Sequence, residues 1–340
     1  MPTVSLILPI RNEAKHIRGC LESIAQQDFP HEQMEIIIAD GLSSDNTKEV
    51  VEASKPSDIP LIWLDNPGKI VPTGLNLAIR QASGEIIIRV DGHAEIAPDY
   101  VSRCVWYLQN QQIQGVGGPM ESIGENYISE VIAYAMSSSF GVGNSAFRTV
   151  VDKTLFVDSI PFPAYTRDII QAAGLYDEEL VRDQDDEYNY RIRELGGKLL
   201  LAVDVKSRYY SRASLAKLWK QYFQYGFYKV RVLQKHPRQM SLRHFVPPLF
   251  VLTLILSILL AVMTPWGKVL LALVAGSYLL ANIIASLIIS AKKGWQNLPL
   301  LPLTFAILHV SYGSGFLWGL IKFRKRWGDK FGKVPAWNID

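Results

Sequence analysis

The sequence predicts a doubly wound, mostly parallel α/β domain followed by a C-terminal helical membrane domain. Over the first 210 residues, short apolar runs alternate with segments of helical spacing. These runs are continuously apolar, which indicates strands covered on both faces of a parallel sheet. Further along, residues 245–267 and 269–291 are two runs of 23 residues without Asp, Glu, Lys or Arg. Each is long enough to span a membrane, which takes about 20 apolar residues.

The individual elements follow from the same patterns. The predicted strands are residues 4–9, 35–39, 61–64, 85–90 and 115–118. The predicted helices include residues 13–27, 72–82 and 98–110. A further helix runs through Ala53, with Ser44 or Asp45 as its predicted cap. Residues 142–211 are expected to form an α+β extension. Ligands bind outside the carboxyl ends of parallel strands. Asp40 and Asp91 stand at two such ends, so they mark the expected binding edge.

Charge and cysteine content exclude several classes of protein. Residues 245–340 hold nine Lys/Arg and two Asp/Glu, whereas residues 1–244 hold 26 Lys/Arg and 30 Asp/Glu. An acidic body argues against a nucleic-acid partner, because nucleic-acid binding needs a basic face. The two cysteines, Cys20 and Cys104, stand far apart in the chain. They exclude a disulfide scaffold and a cysteine-based zinc site, and they fit a reducing compartment.

The flanking charges predict how the apolar segments cross the membrane. A third run, residues 298–321, is weaker because it contains prolines, glycines and His309, which either packs against a helix or faces a polar groove. Basic clusters precede the first run and follow the second and third. The positive-inside rule places all of them on the cytoplasmic side. We therefore expect two crossings and a re-entrant or interfacial third segment, with three full crossings as the alternative. The N-terminus carries no signal-peptide pattern, so the α/β domain is expected in the cytoplasm.

Residues 216–234 are predicted to form a helix with aromatic and basic side chains. Leu218, Trp219, Tyr222, Phe223 and Tyr225 lie on or near one side of it. Beside a membrane domain, such a helix suits the lipid interface. Packing onto the α/β body is the alternative.

Three short segments carry the chemistry. Residues 40–47 form an acidic turn after a strand. Asp91 and His93 are two residues apart in an extended segment, so both side chains point the same way and can face one cation. The shell of Mg²⁺ or Mn²⁺ would then be completed by substrate phosphates. Residues 182–191 contain four acids beside two arginines, which taken alone is also typical of a solvated helix start.

Together these segments resemble the family 2 glycosyltransferases, which are inverting enzymes of the GT-A fold. Residues 5–13 are similar to that family's first strand and loop, residues 40–47 to its DGSxDxT turn, and residues 91–93 to its DxD motif. Gln184 and Asp185 occupy the place of a Glu-Asp pair, aligned through residues 189–191. A closer resemblance is to succinoglycan-type membrane transferases of bacterial exopolysaccharide synthesis. It is carried by residues 89–93, 140–144, 182–187 and 219–226.

The resemblance implies roles for individual residues and a set of partners. The nucleotide pocket would be lined by Pro9, Arg11 and Glu13, and Asp40 would hydrogen-bond to the uracil. Asp91 would lie on the side of the ribose or the metal ion, and His93 would ligate Mg²⁺ or Mn²⁺. Asp185 would be the general base. The donor would be a nucleotide sugar, a UDP-sugar by the same resemblance, and the acceptor a lipid-linked saccharide. The enzyme would then sit in the inner (plasma) membrane as a multi-pass protein, among membrane lipids, with its catalytic domain in the cytoplasm.

The sequence departs from the family pattern in three places. His93 replaces the usual second Asp, which removes one negative charge from the metal site. Gln184 replaces the usual Glu, so Asp183 and Asp186 compete with Asp185 for the role of base. The QxxRW motif of processive synthases is missing, which favours transfer of a single sugar. Other residues that approach the donor or serve the structure are Lys69, Asn76 and Arg89.

These observations predict four regions and leave alternatives for the function. The regions are a GT-A catalytic domain at residues 1–212, an amphipathic interfacial helix and linker at 213–243, a transmembrane region at 244–325 and a basic cytoplasmic tail at 326–340. The alternatives to a lipid-linked saccharide transferase are a polyprenyl-phosphate glycosyltransferase, a catalytically silent membrane scaffold and a soluble nucleotide-binding module.

Overall fold

The computed structural model describes residues 3–143, 145–150, 152–211, 214–330, 332–335 and 337. The strands are β1 Val4–Ile10, β2 Met34–Asp40, β3 Leu61–Asp65, β4 Ile86–Arg89, β5 Ala94–Ile96, β6 Gly115–Gly117, β7 Met120–Ile123, β8 Leu155–Phe156, β9 Ala164–Thr166, β10 Leu199–Leu201 and β11 Ser207–Tyr210. The helices are α1 Ile17–Ala25, α2 Thr47–Ser54, α3 Val71–Gln81, α4 Tyr100–Asn110, α5 Tyr127–Met136, α6 Ser139–Val142, α7 Ala146–Thr149, α8 Arg167–Ala173, α9 Gln184–Glu194, α10 Leu215–Lys235, α11 Val246–Met263, α12 Pro265–Lys293 and α13 Leu301–Lys322.

The chain forms two compact units. One comprises Met1–Glu121, Ala146–Tyr209 and Phe331–Asp340, and the other comprises Ser122–Ser145 and Tyr210–Lys330. This division differs from the predicted boundaries at two places. Residues 122–145 group with the C-terminal helices, and the last ten residues group with the α/β unit. Asn144, one of the residues that carry the resemblance, and residues 331, 336 and 338–340 of the predicted tail lie outside the described residues.

The α/β unit is built on an eight-stranded sheet with the order β3-β2-β1-β4-β9-β6-β10-β8. Its first four strands in this order are parallel, as predicted. Strand β9 runs antiparallel between β4 and β6, and β8 pairs antiparallel with β10. The sheet is therefore mixed rather than wholly parallel. A second sheet has the order β5-β11-β7.

Alternating side chains of β1 supply two separate cores. Val4, Leu6 and Leu8 point into a cluster with α1 and α4, whereas Ile7 points into a cluster with α3, α8 and α9. This alternation is the period of two that a strand imposes. Both faces of the sheet are thus covered, which is the arrangement that the continuously apolar strands predict.

The second unit contains three helices long and apolar enough to cross a membrane. In the most apolar windows of α11 and α12, only 17% and 11% of residues are buried, whereas the share in α13 is 44%. Helix α13 packs closely along α10: a Cβ added at Gly226 would lie 2.0 Å from the Tyr312 carbonyl oxygen, and one at Gly315 would lie 2.0 Å from that of Phe223. These glycines therefore allow close backbone contact between the two helices.

Helix α13 is continuous through the third apolar run, so the predicted re-entrant segment is not observed. Pro302 lies in its first turn, where a missing N–H leaves no hydrogen bond broken. An interfacial helix and a full crossing remain as the two alternatives. His309 of this helix is within 2.8 Å of the Phe140 carbonyl oxygen and 3.0 Å of the Tyr278 hydroxyl. Of the two predicted settings for His309, the structure thus has the packed one.

Candidate active site

Strand register brings the predicted acidic residues to one edge of the sheet. Asp40 ends β2 and lies beside Ile10 of β1 and Asp65 of β3. Strand β4 pairs with β1 up to Arg89, and Asp91 follows two residues later. Because all four strands are parallel, their carboxyl ends meet at this edge, which is where ligands bind in such sheets.

The turn after β2 is fixed to the loop after β1 by hydrogen bonds. The Asp40 carboxylate accepts from the Ser43 amide at 2.9 Å and from the Ser43 hydroxyl at 2.5 Å. Asn12, at φ 56°, donates its amide to Ser43 and accepts from the Ser44 amide, both at 2.8 Å. The N-cap residue of α2 is Asn46, so the predicted cap at Ser44 or Asp45 is wrong, and Asn46 makes no side-chain capping hydrogen bond. Asp45 instead accepts from the Thr47 amide at 3.1 Å. A carboxylate offers about four acceptor sites, so Asp40 keeps capacity for a ligand.

Pro9 and Arg11 flank the end of β1. Pro9 is half-buried, and its ring lies close to Gly74, where an added Cβ would be 3.4 Å from Cβ of Pro9. Arg11 is exposed. A Cβ added at Gly41 would lie 3.1 Å from Cδ of Arg11. The small residue thus lets the arginine side chain lie over the turn that Asp40 begins.

Glu13 and His93 form a pair that sequence analysis assigns to separate roles. The Glu13 amide donates to the Thr47 hydroxyl at 2.9 Å, which holds the residue in place. Its Oε1 lies 2.9 Å from Nδ1 of His93. The imidazole also meets the Tyr209 ring in a T-shaped arrangement, with centroids 4.9 Å apart. The remaining nitrogen, Nε2, is buried and makes no hydrogen bond within the described part of the chain.

The charges around His93 favour its protonated form. Burial disfavours the imidazolium, but Tyr209, Glu13 and Asp91 outweigh this and raise the pKa of His93 to about 9. With Nδ1 directed at Glu13, the ring presents only Nε2 to a ligand. This nitrogen either donates to an anionic oxygen when protonated or binds a cation when its proton leaves.

Arg89 links the two acids that sequence analysis places in different segments. Its Nε donates to Asp91 Oδ1 at 2.8 Å, and its Nη1 donates to Asp185 Oδ1. The Arg89 side chain is 8% exposed, against 18% for Asp91 and 37% for Asp185. From the sequence, Arg89 is only one of several residues expected near the donor. The available signal is its spacing of two from Asp91, because residues two apart in an extended segment point the same way.

The environments of the two acids shift their pKa values in opposite directions. Burial opposes ionisation of Asp91, but Arg89 and His93 prevail and lower its pKa. Burial raises the pKa of Asp185, with Asp91 and Asp186 adding to the effect and Arg89 opposing it. Two carboxyl groups whose environments separate their pKa values are suited to different roles. The lowered pKa of Asp91 favours its charged form, whereas the raised pKa of Asp185 makes it the more readily protonated of the two.

The acids at the start of α9 are not equivalent. Asp183 is the N-cap residue in a left-handed conformation, and its side chain makes no capping hydrogen bond to the helix. Asp185, in the first turn, contacts Arg89, whereas Glu187 is bound by Arg191 at 2.7 Å and is buried. Asp185 is therefore the acid of this group that Arg89 connects to the β4 end of the sheet.

The side chains at this site supply part of the ligand set that a divalent cation needs. No group of three or more His, Cys, Asp or Glu side chains with metal-binding geometry occurs among the described residues. Asp91 and His93 supply at most two ligands, and the buried Nε2 without a hydrogen bond is the atom that fits a cation. Mg²⁺ and Mn²⁺ commonly complete their shells with substrate phosphates and water. The donor set thus suits a cation held jointly with a diphosphate.

Residues 5–172 match the model of Glycosyl transferase family 2. The chain is a glycosyltransferase with a family 2 domain. Succinoglycan biosynthesis protein ExoA of Rhizobium meliloti (strain 1021) is 28% identical to this glycosyltransferase over 325 residues, covering 94% of this chain and 96% of that protein. A Methanococcus voltae relative is 28% identical over 330 residues, covering 95% and 98% of the two chains. Its name is dolichyl N-acetyl-alpha-D-glucosaminyl phosphate 3-beta-D-2,3-diacetamido-2,3-dideoxy-beta-D-glucuronosyltransferase.

Solved structures share the fold of this glycosyltransferase. The mannosyltransferase PcManGT from Pyrobaculum calidifontis, solved with GDP-Man and Mn²⁺, has a TM-score of 0.60 at 18% identity. The alignment covers 93% of this chain and 87% of that one. The predicted fold class is thereby confirmed: the protein has a GT-A-like α/β core followed by C-terminal helices.

Proposed function

We propose that the protein is a membrane-bound inverting glycosyltransferase that transfers a single sugar from a UDP-sugar to a lipid-linked saccharide in polysaccharide biosynthesis. The observation that carries this proposal is the buried Arg89, which contacts Asp91 on one side and Asp185 on the other. An acid at the expected donor edge and a candidate base thus belong to one site. A nucleotide-sugar transferase needs both within reach of one anomeric carbon.

The proposed reaction follows from the chemistry of these groups. Asp185 accepts the proton of the acceptor hydroxyl as that oxygen attacks the anomeric carbon. Asp40, with Pro9, Arg11 and Glu13 nearby, holds the nucleotide. Asp91 and His93 would hold a divalent cation against the diphosphate, and that cation would supply neutralisation of the charge on the leaving group. One displacement with one base inverts the anomeric configuration.

The comparisons favour a lipid-linked saccharide over a bare polyprenyl phosphate as the acceptor. The Methanococcus voltae relative is named for an acceptor with a sugar already attached to dolichyl phosphate. A silent scaffold would not need Asp40, Asp91 and Asp185, which are all present. The deciding experiment incubates the purified full chain with UDP- and GDP-sugars and with either acceptor, and follows nucleoside diphosphate release. Release that depends on a lipid-linked saccharide supports the proposal, and release with polyprenyl phosphate alone supports the alternative.

We predict that UDP binds together with a divalent cation. Calorimetric titration of UDP in Mn²⁺ should give a higher affinity than titration in EDTA, because Asp91 and His93 share the cation with the diphosphate. His93→Ala should remove most of this difference, whereas Asp45→Asn, a substitution in the neighbouring turn, should retain it. Equal UDP affinities in Mn²⁺ and EDTA would contradict the metal role, and tighter binding of GDP would contradict the choice of nucleotide.

The proposed membrane arrangement has two crossings, α11 and α12, with the catalytic domain in the cytoplasm. Helix α13 is the interfacial element, since nearly half of its apolar window is buried and it packs along the amphipathic α10. The position of Lys333 supports this arrangement. The Lys333 amide donates to Asp177 at 2.9 Å, within the same compact unit as the N-terminal domain. Two segments packed into one domain lie on one side of a membrane, so the number of crossings between them is even.

A reporter fused after Asp340 should therefore be active in the cytoplasm. Alkaline phosphatase, which needs the periplasm, should be inactive there, and green fluorescent protein should fluoresce. A fusion within the connection between α11 and α12, after Thr264, provides the matched control and should give the reverse result. Periplasmic activity of the C-terminal fusion would indicate three crossings.

A further inference from the structure

The described C-terminal residues, 332–335 and 337, form part of the α/β unit. Their backbone hydrogen-bonds to the chain that leads into α9. The Glu178 amide donates to the Lys333 carbonyl, and the Lys333 amide donates to Oδ1 of Asp177, each at 2.9 Å. Asp177 is 1% exposed, and the same oxygen accepts from the Glu179 amide at 3.0 Å. Trp337 packs against the core cluster that contains Ile7 and Tyr188.

The segment that the tail contacts is also held from its other side. The Asn76 side chain accepts from the Tyr176 amide at 2.8 Å and donates to the Tyr176 carbonyl at 2.9 Å. Its amide group also lies 3.0 Å from Glu178 Oε1. Asn76 is fully buried, so its part here is structural rather than donor binding. The segment 176–178 thus lies between α3 and the C-terminal tail.

Ring stacking connects this segment to the candidate base. Tyr176 stacks on Tyr188 of α9, with centroids 4.0 Å apart and planes at 15°. Both rings are buried. Tyr188 is three residues after Asp185, on the same side of the helix within one turn. A shift of residues 176–178 would therefore move the start of α9, and with it the Asp185 carboxylate relative to Arg89.

We propose that residues 332–335 and 337 act as a positioning segment that fixes residues 176–178 and thereby the orientation of Asp185. This inference rests on the proposed function of Asp185 as the base. The segment follows the last apolar helix in the chain, so the base is held in place by the part of the protein that leaves the membrane region. The tail contributes to turnover without touching the substrate.

Truncation after Lys330 tests the proposal. The truncated chain is compared with the full chain, both in detergent or membranes. Turnover at saturating donor should fall about tenfold or more, because small displacements of a catalytic group can cost up to about 100-fold. The donor KM and UDP affinity should stay within about twofold, because among the described residues the tail's hydrogen bonds go to Asp177 and Glu178 and not to the nucleotide-binding residues. Amide hydrogen exchange across residues 176–189 should become faster. A purely stabilising tail would lower the amount of folded enzyme while its remaining turnover per folded molecule stayed normal.

Two point variants keep the test valid if the truncated protein does not fold. Trp337→Ala should lower turnover and speed exchange at residues 176–189, because it removes the ring from the core. Lys333→Ala is the matched control and should change neither, because the Lys333 side chain is exposed and only its backbone is used. Wild-type turnover with unchanged exchange in Trp337→Ala would overturn the proposal. If the intact chain transfers no sugar, the proposed function fails, while the exchange measurement still tests the segment.

Discussion

Asp185→Asn is expected to lower sugar transfer by about 10²- to 10⁴-fold, the usual contribution of a general base, while UDP binding stays nearly intact. The amide has the size of the carboxylate but does not accept the acceptor's proton. Its carbonyl oxygen still accepts from Arg89, so the helix start keeps its main contact. Turnover of the purified variant at saturating donor measures the effect, and calorimetry with UDP checks the binding.

Two neighbouring substitutions are the matched controls for this prediction. Asp183→Asn should be mild, because Asn adopts the left-handed conformation of residue 183 about as readily as Asp. The Asp183 side chain makes no capping hydrogen bond, so the substitution removes no cap from α9. Asp186→Asn should also be mild, because Arg89 contacts Asp185 instead. Normal turnover in Asp185→Asn together with a large loss in either control would assign the base to the sensitive residue.

The sequence predicts the parallel half of the sheet because its signals are local. Strands β1 to β4 are mostly apolar, with Ser5 in β1 and Glu35 in β2 as interruptions, and each ends at or near a polar residue such as Asp40. The antiparallel strands β8 and β9 are two and three residues long, too short for any periodicity to register. Their pairing depends on partners far away in the chain, such as β4 and β10.

In the candidate site, too, the local features were predictable from sequence and the long-range contacts were not. The acids at strand ends follow from sequence because a strand end is a local feature. The contacts Glu13–His93 and Arg89–Asp185 join residues that are 80 and 96 positions apart, so spacing gives no signal for them. The grouping of residues 331–340 with the α/β unit is likewise a long-range contact, which a basic tail by itself does not predict.

Arg89→Met is expected to abolish transfer and to lower the free energy of unfolding by about 3 kcal/mol, the lower end of the range for removing one partner of a buried ion pair. The lower end applies because Asp185 is 37% exposed and keeps some contact with water. Without the guanidinium, Asp91 and Asp185 repel each other across a low-dielectric site. Thermal or urea unfolding measures the stability loss, and donor turnover measures the loss of transfer.

Arg89→Lys separates charge from geometry in the same position. A lysine keeps the positive charge but is a single point donor, so it does not hold two carboxylates through separate nitrogens. We expect most of the stability to return while turnover stays at least about tenfold below wild type, since Asp185 is no longer oriented. The double variant Arg89→Met/Asp185→Asn adds a second test. Its stability loss should be smaller than the sum of the single losses, because the uncompensated charge at Asp185 is gone. Strictly additive losses would show that Arg89 and Asp185 do not interact, and the shared site that carries the proposed function would then be wrong.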